Sequence, residues 1–192
     1  AKTKNIKLGT GIMQISARVP SMTAMTAQSM DTVSKGRFIL GLGVSGPQVV
    51  EGLHGASFAK PLSRLRETIE ILRIALSGQK LAYEGKHYVL PRPGGEGKAI
   101  RLGQPPRPNL PIYLATLGPK SLQLTGELAD GWLGTCFIPE HADVFLKEIS
   151  AGAAKAGRSL SDIDIHAGGS FEISDDVERL VAARKPGMAF QL

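Results

Sequence analysis

An apolar segment that runs directly into a glycine-rich loop constrains the fold of this chain more than any other feature. Residues 38–44 are apolar and too short for a helix, which favours a buried strand. The segment ends in Gly41-Leu-Gly43-Val-Ser-Gly46 and leads into a polar loop that reaches Gly55. In α/β proteins, a strand followed by a glycine-rich turn brings backbone N–H groups close to a ligand. The stretch therefore predicts an α/β fold with a ligand site beyond the strand.

Strand-like and helix-like segments alternate on both sides of this stretch. The pattern predicts strands at 6–15, 38–44, 111–115, 130–135, 163–173 and 187–192, and helices at 20–34, 61–77, 119–129, 139–156 and 175–184. Strands separated by helices pair in parallel through right-handed crossovers. Two architectures fit: an open doubly wound sheet, or about three-quarters of a (β/α)8 barrel, which usually needs about 250 residues.

Two of these helices have clear apolar positions. The segment 61–77 carries one apolar stripe with charged residues outside it; the stripe is Leu62, Leu65, Ile69, Leu72 and Leu76, and the charged residues are Arg66, Glu67, Glu70 and Arg73. In the segment 20–34 the residues at helical spacing are Met22, Met25, Ser29, Met30 and Val33. The methionines are interpreted as core residues, with contact to a flat ring as the alternative. Within the first strand, Gly9 and Gly11 indicate a bulge or a close approach of another backbone segment.

Residues 79–108 differ in character from the rest. Residues 80–90 predict a hairpin that turns at Glu84 and Gly85, and a segment rich in proline and glycine follows. A long irregular segment within a compact domain is usually a functional loop or a linker. We interpret the chain as one domain, residues 1–192, with an insertion at about 79–108; a domain boundary there is the alternative.

Composition and charge exclude several classes of protein. The 192 residues are 42% hydrophobic, enough for a core, but contain no apolar run long enough to span a membrane. The net charge of +6 comes from scattered basic residues, and only 5% of residues are aromatic, which argues against nucleic-acid binding.

The single cysteine, Cys136, indicates a reducing, cytoplasmic setting. Both ends of the chain resemble uncovered strands, so we expect a portion of a longer protein.

The histidines provide no metal site by their spacing. The four, His54, His87, His141 and His166, lie far apart in sequence, and no second cysteine or H-E-x-x-H motif accompanies them. We therefore expect no bound metal. No catalytic constellation stands out elsewhere in the chain either, so the catalytic residues stay unassigned.

The segment from Gly41 to Gly46 also fits the G-x-G-x-x-G pattern of dinucleotide-binding proteins. That fingerprint requires a helix that begins in the turn and an acidic residue about 20 positions later. The sequence predicts no helix before Pro61, and position 66 is Arg66. The motif is therefore interpreted as a strand-to-loop turn and not as a dinucleotide site.

The segment 115–120, Ala-Thr-Leu-Gly-Pro-Lys, is a more informative turn. It joins a strand to a helix that has Pro119 in its first turn. The free N–H groups and the positive dipole end of such a helix suit a phosphate, and Lys120 or Ser121 could add a donor. The alternative is an ordinary capped helix with no ligand.

Four motifs in order resemble those of a known family. They are residues 6–13 (IKLGTGIM), 34–55 (SKGRFILGLGVSGPQVVEGLHG), 61–67 (PLSRLRE) and 112–120 (IYLATLGPK), the last followed by ADGW at 129–132. The chain resembles the luciferase-like oxidoreductases and, among them, the branch that uses the deazaflavin coenzyme F420. The resemblance implies an incomplete (β/α)8 barrel containing strands three to eight, with the cofactor at the carboxyl ends of the strands. It also implies a homodimer that acts on a small-molecule substrate.

The resemblance further implies a set of site residues. Gly11 and Ile12 match a non-prolyl cis peptide that backs the deazaflavin ring, and Ser45 and Gly46 match a turn that contacts the cofactor. The segment that holds the cofactor phosphate matches Leu117, Gly118, Lys120 and Ser121. Thr135 matches a residue of the substrate pocket. In the sugar-phosphate branch an acidic catalytic residue follows the Ser/Thr-Gly pair, but this chain has Pro47 there.

The function implied is hydride transfer between F420 and an organic substrate. In such chemistry the cofactor ring carries the reaction and the protein orients it. Two alternatives stay open: an FMN-dependent luciferase-like monooxygenase, or a barrel fragment that binds a cofactor without catalysis.

Overall fold

A parallel sheet that curls like half of a barrel forms the centre of the molecule. A computed structural model describes residues 3–135, 137–168 and 172–191, with the backbone alone for 188–191. The strands are β1 (Leu8–Gly9), β2 (Met13–Gln14), β3 (Phe38–Gly43), β4 (Tyr83–Glu84), β5 (Val89–Leu90), β6 (Ile112–Leu114), β7 (Gly131–Gly134) and β8 (Asp164–Ala167). The helices are α1 (Pro20–Ser34), α2 (Pro61–Leu76), α3 (Pro119–Leu128), α4 (Asp143–Lys155) and α5 (Val177–Gln191).

The order of strands is that of a barrel and not of a doubly wound sheet. β1 and β2 pair with successive parts of β3, and β6, β7 and β8 follow β3 in chain order, all in parallel. Sequential order without reversal lacks the switch point of an open doubly wound fold. Among the described residues the sheet has five strand positions, since β1 and β2 together occupy one.

The first strand position contains the predicted bulge. Gly9 pairs with Ile39 and Met13 pairs with Leu42. The first strand position therefore advances by four residues where β3 advances by three. The extra residue lies between β1 and β2, where the peptide bond from Gly11 to Ile12 is cis, as the resemblance implies. One additional residue in a strand re-aims the side chains that follow it.

The helices pack in sequence along one face of the sheet. α1 contacts α2, α2 contacts α3, and α3 contacts α4. The larger core lies beneath α1 and α2 and includes Leu40, Leu42, Leu65 and Leu72, all almost fully buried. A smaller core surrounds Trp132, whose ring lies 5.1 Å from that of Phe145, measured between centroids. The predicted stripe of α2 is confirmed, with Leu65, Ile69, Leu72 and Leu76 buried.

The bounds predicted for α1 are confirmed, but its predicted buried face is wrong. Met22 is 48% exposed and Val33 is 76% exposed, and Met25 and Met30 are also exposed. The buried face is small and polar instead: Thr23, Ala24, Ala27, Gln28, Asp31 and Ser34. Small side chains let the helix approach the sheet closely, so packing overrides the apolar pattern.

Glu67 was placed outside the apolar stripe of α2, yet it is only 6% exposed. Its carboxylate accepts hydrogen bonds from the backbone N–H groups of Lys86, His87 and Tyr88, at 2.9–3.0 Å. These residues form the turn of the predicted hairpin, β4–β5, which is antiparallel. A buried carboxylate therefore fixes the start of the proposed insertion to α2. The domain boundaries themselves stay a prediction.

Two further predictions from sequence are wrong. Residues Gln48–Leu53 form a π-helical turn, although no helix was expected before Pro61. It begins because Val49 and Val50 donate their N–H groups to Gly46 O, with Pro47 at a helix-compatible φ of −59°.

The strand predicted at 187–192 is instead the end of α5, which continues through Pro186. Of this segment, Leu192 alone lies outside the described residues. Met, Ala and Gln favour a helix there. The sixth predicted strand is therefore absent from the described chain.

Candidate cofactor site

A cavity of about 710 Å³ lies at the carboxyl ends of β3 and β6, beside Ile12 of the bulge between β1 and β2. Six residues predicted to bind the cofactor line it together: Ile12, Ser45, Leu117, Gly118, Lys120 and Ser121. They come from three separate loops of the chain, so the fold is what brings them to one place. Most of the exposed cavity wall is apolar, which suits a flat ring system.

The first wall is the bulge between β1 and β2. Ile12 lines this cavity and also packs over β3. A Cβ atom added to Gly43 would lie 2.2 Å from Ile12 Cδ1. Thr10, two residues earlier, fixes the loop against β3. Its hydroxyl donates to Gly41 O at 2.8 Å and accepts from Gly41 N at 2.9 Å. Gly41 and Gly43 are therefore glycines because the bulged strand leaves no room for side chains.

The second wall is the turn after β3. Ser45 has a φ of +59°, a left-handed conformation that is uncommon for a residue other than glycine. Such conformations store strain of about 1 kcal/mol or more and concentrate at ligand-binding turns. Gly46 does not line the cavity; its carbonyl instead accepts the N–H groups that begin the π-helical turn.

The third wall is the amino end of α3. Gly118 precedes the helix with extended backbone angles, Pro119 occupies its first turn, and no side chain caps it. Ser121 Oγ donates to Gly118 O at 2.7 Å, and Leu122 N donates to the same carbonyl. The N–H groups of Lys120 and Ser121 are among the first of the helix, which have no acceptor within it. Together with the ammonium group of Lys120, they form a site with the chemistry that a phosphate needs.

Buried polar contacts hold this third wall in position. Trp132 Nε1 donates to Thr116 O at 2.9 Å, and the hydroxyl groups of Thr116 and Thr125 lie 2.7 Å apart. Sequence reasoning did not identify Thr116. The repeated Thr at the end of β6 and within α3 offered no signal, because the contact between them exists only after the helix folds back.

A charged cleft adjoins the cavity and shares Leu62 and Lys120 with it. There Arg66 donates two hydrogen bonds to the Glu127 carboxylate, at 2.7 and 2.6 Å. The bond from Arg66 lowers the pKa of Glu127, although partial burial opposes the shift. Neither member of this pair lines the cofactor cavity, where Lys120 is the basic residue that α3 contributes.

Besides Gly46, two predicted residues lie outside the cofactor cavity. Gly11 lines a separate cavity of about 400 Å³, together with Tyr113 and Asp164. The phenol of Tyr113 donates to the Asp164 carboxylate, and burial followed by this bond raises the pKa of Tyr113, which keeps the phenol neutral. Thr135 is exposed just after β7 and is not among the residues that line the cofactor cavity. Cys136 lies outside the described residues.

The lining of the cofactor cavity is chemically simple. Within residues 3–135, 137–168 and 172–191, its polar side chains are Ser45, Thr116, Lys120 and Ser121, with no carboxylate or imidazole. In the same ranges, no three His, Cys, Asp or Glu side chains lie close enough to share a metal ion. The cavity can hold a ring and a phosphate, with Lys120 as the ionisable side chain among its described lining residues. In the described part of the chain, no helix is both long and apolar enough to cross a membrane.

A parallel barrel sheet with an apolar cavity and an uncapped helix end at the carboxyl ends of its strands has the arrangement by which (β/α)8 barrels hold phosphorylated ligands. The comparison with protein families is more specific. The model of the family described as luciferase-like monooxygenase matches residues 1–191. The chain belongs to that family.

Individual relatives agree with this assignment. The chain is 41% identical to Rv3520c of Mycobacterium tuberculosis, named as a candidate coenzyme F420-dependent oxidoreductase, over 100% of this chain and 58% of the relative. It is 36% identical to the 5,10-methylenetetrahydromethanopterin reductase of Methanolobus tindarius, over 98% of this chain and 55% of the relative. The structure of the coenzyme F420-dependent tetrahydromethanopterin reductase of Methanopyrus kandleri superposes with a TM-score of 0.80 at 31% identity, over 98% of this chain and 56% of that one. The chain thus spans somewhat more than half the length of these relatives.

Proposed function

We propose that this protein is an F420-dependent oxidoreductase that moves a hydride between the deazaflavin and a small organic substrate. The observation that carries the proposal is the single cavity that joins the bulged strand, the Ser45 turn and the uncapped end of α3. The names of the relatives from Mycobacterium tuberculosis and Methanopyrus kandleri support F420 as the cofactor.

The residues present fit such a cofactor in two respects. Ile12 and Leu117 offer an apolar surface against which a ring can lie. The first N–H groups of α3 and the Lys120 ammonium group can hold a phosphate oxygen. The bound deazaflavin would supply the hydride chemistry. In this proposal the described residues bind and orient the cofactor, since the lining of the cavity contains no carboxylate or imidazole among the described residues.

FMN and F420 can be separated by titration. The protein should bind F420 with micromolar or tighter affinity, measured by calorimetry, and bind FMN more weakly. Tight FMN binding with no F420 binding would assign the protein to the flavin-dependent monooxygenases of the family. Binding of F420 without turnover of any alcohol, aldehyde or pterin offered would favour a protein that carries the cofactor without catalysis, which the simple lining of the cavity also permits.

We also propose that the protein forms a homodimer in the cytoplasm. The exposed apolar face of α1, with Met22, Met25 and Val33, supports an interface between copies. The single cysteine supports the cytoplasmic location.

A further inference from the structure

A second cavity, of about 350 Å³, lies beside the cofactor cavity. It is open to solvent on one side and lined by the loop after β2, the loop after β3, the first turns of α2 and the end of the β4–β5 hairpin turn. Among the described residues, the two cavities share only Val44. A volume of this size is within the range of small-molecule sites.

Two arginines line this cavity without a carboxylate partner. Arg18 Nη1 donates to Thr26 Oγ1 at 3.1 Å, and Arg64 Nε donates to the carbonyl of Ala59 at 3.1 Å. Neither forms an ion pair within the described ranges, and no Asp or Glu is among the described lining residues. Arg18 is exposed at the rim of the cavity and Arg64 is half-buried, so an anion bound there would be attracted to both.

The remaining wall is mainly apolar. Ile15 and Val50 are buried beneath it, and the rings of Phe58 and Tyr88 border it. Ser16 also lines the cavity, and its Oγ is buried with no hydrogen-bond partner among the described residues. A buried hydroxyl group without a partner is unfavourable, so an oxygen atom of a ligand at that wall would stabilise it.

We propose that this cavity binds an organic carboxylate whose anionic group contacts Arg18 and Arg64 and whose apolar body lies against Phe58 and Tyr88. Guanidinium groups present planar pairs of donors that match a carboxylate. The proposal goes beyond the cofactor function, because the cavity and its charges exist whether or not F420 binds next to it. The carboxylate can belong to a free organic acid or to an acidic portion of the neighbouring cofactor.

Calorimetric titration with phenylacetate tests the proposal, with phenylacetamide as the uncharged counterpart. Phenylacetate should bind at least about tenfold more tightly than phenylacetamide, as expected for charge-assisted hydrogen bonds. Arg64→Gln and Arg18→Gln should each weaken phenylacetate about fivefold or more, whereas Arg92→Gln, at an exposed position away from the cavity, should not. Circular dichroism and urea unfolding of each variant identify any loss of binding that comes from unfolding. Equal affinity for the two probes, or folded Arg64 and Arg18 variants with unchanged affinity, would overturn the proposal.

The same titrations with F420 present separate the two sources of the carboxylate. For a free organic acid, saturating F420 leaves phenylacetate affinity unchanged and Arg64→Gln leaves F420 affinity unchanged. For an acidic portion of the cofactor, F420 displaces phenylacetate and Arg64→Gln weakens F420. Loss of F420 binding with phenylacetate binding retained would contradict the proposed cofactor function and leave this second site in place.

Discussion

The Cδ1 methyl group of Ile12 occupies the space that a side chain on Gly43 would need, 2.2 Å from the position of a Cβ there. Thr10 stands in the same relation to Gly41, where a Cβ would lie 2.0 Å from the Thr10 carbonyl oxygen. The glycines that imitate a dinucleotide fingerprint therefore accommodate the bulged neighbouring strand. That strand in turn places Ile12 at the cofactor cavity.

The two glycines should differ in their tolerance of a methyl group. Gly41→Ala sets a Cβ against backbone atoms, which can separate only if two strands move, so we expect a loss of about 3 kcal/mol or more in unfolding free energy. Gly43→Ala meets the end of a flexible side chain, and we expect a loss of about 1 kcal/mol. Urea unfolding measures both. An equal or larger loss for Gly43→Ala would contradict this account of the bulge.

Glu67 should make the β4–β5 hairpin sensitive to acid. Burial opposes ionisation of this carboxyl, but the three backbone N–H donors outweigh it and hold the pKa of Glu67 below its ordinary value of 4.5. A carboxylate with a lowered pKa stabilises the fold above about pH 4.5, and this contribution is lost as the pH falls through the lowered pKa. Glu67→Gln should lose about 1–3 kcal/mol at pH 7 and depend less on pH between 3 and 5 than the parent protein.

Urea unfolding across this pH range tests the role of Glu67. Glu84→Gln, at an exposed position on the same hairpin, is the matched control and should follow the parent protein. If Glu67→Gln and the parent protein show the same stability and the same pH dependence, the carboxylate does not anchor the hairpin.

The pair of Arg107 and Asp31 should connect the segment before β6 to α1. Arg107 Nε lies 2.5 Å from Asp31 Oδ2, and the Asp31 side chain is only 7% exposed. Arg107→Gln would leave a buried carboxylate without a cation, at a cost of about 2 kcal/mol because Arg107 itself is partly exposed. Asp31→Asn in the same chain should recover part of that loss. Strictly additive losses in the double variant would show that the two side chains are not coupled.

The exposed face of α1 should mediate self-association. Met25→Glu introduces a charge into the proposed interface and should convert a dimer to a monomer in sedimentation velocity, with little change in stability because Met25 is 46% exposed. Lys147→Gln, on the exposed side of α4, should leave the dimer intact. A parent protein that sediments as a monomer at every concentration tested would contradict the proposed dimer.

The sequence predicted the alternation of strands and helices well, since apolar periodicity and proline and glycine positions are local signals. The bounds of α1 and the stripe of α2 are examples. The buried face of α1 could not be predicted, because the close approach of Ala24 and Ala27 to the sheet is a property of packing and leaves the methionines outside. The role of Glu67 depends on three N–H groups that lie 19–21 residues away, which no local pattern reveals.

Some residues of the candidate site could be predicted from sequence motifs, whereas others could not, because their position depends on packing. Motif resemblance located the segments around Ile12, Ser45 and Lys120, which the fold brings to one cavity. Leu62 and Leu65 also line this cavity, although their spacing indicated only a core stripe. A side chain at the end of a stripe can face either the core or a cavity, and periodicity does not distinguish the two.

The affinity of the protein for F420, compared between the parent protein and Lys120→Gln, tests the central claim most directly. The parent protein should bind F420 with a micromolar or lower Kd. Lys120→Gln should weaken binding about tenfold, as expected for the loss of a charge-assisted contact to phosphate, whereas Lys147→Gln should bind as the parent does. Failure of the folded parent protein to bind F420, or an unchanged Kd in Lys120→Gln, would contradict the assignment of this cavity as the cofactor site.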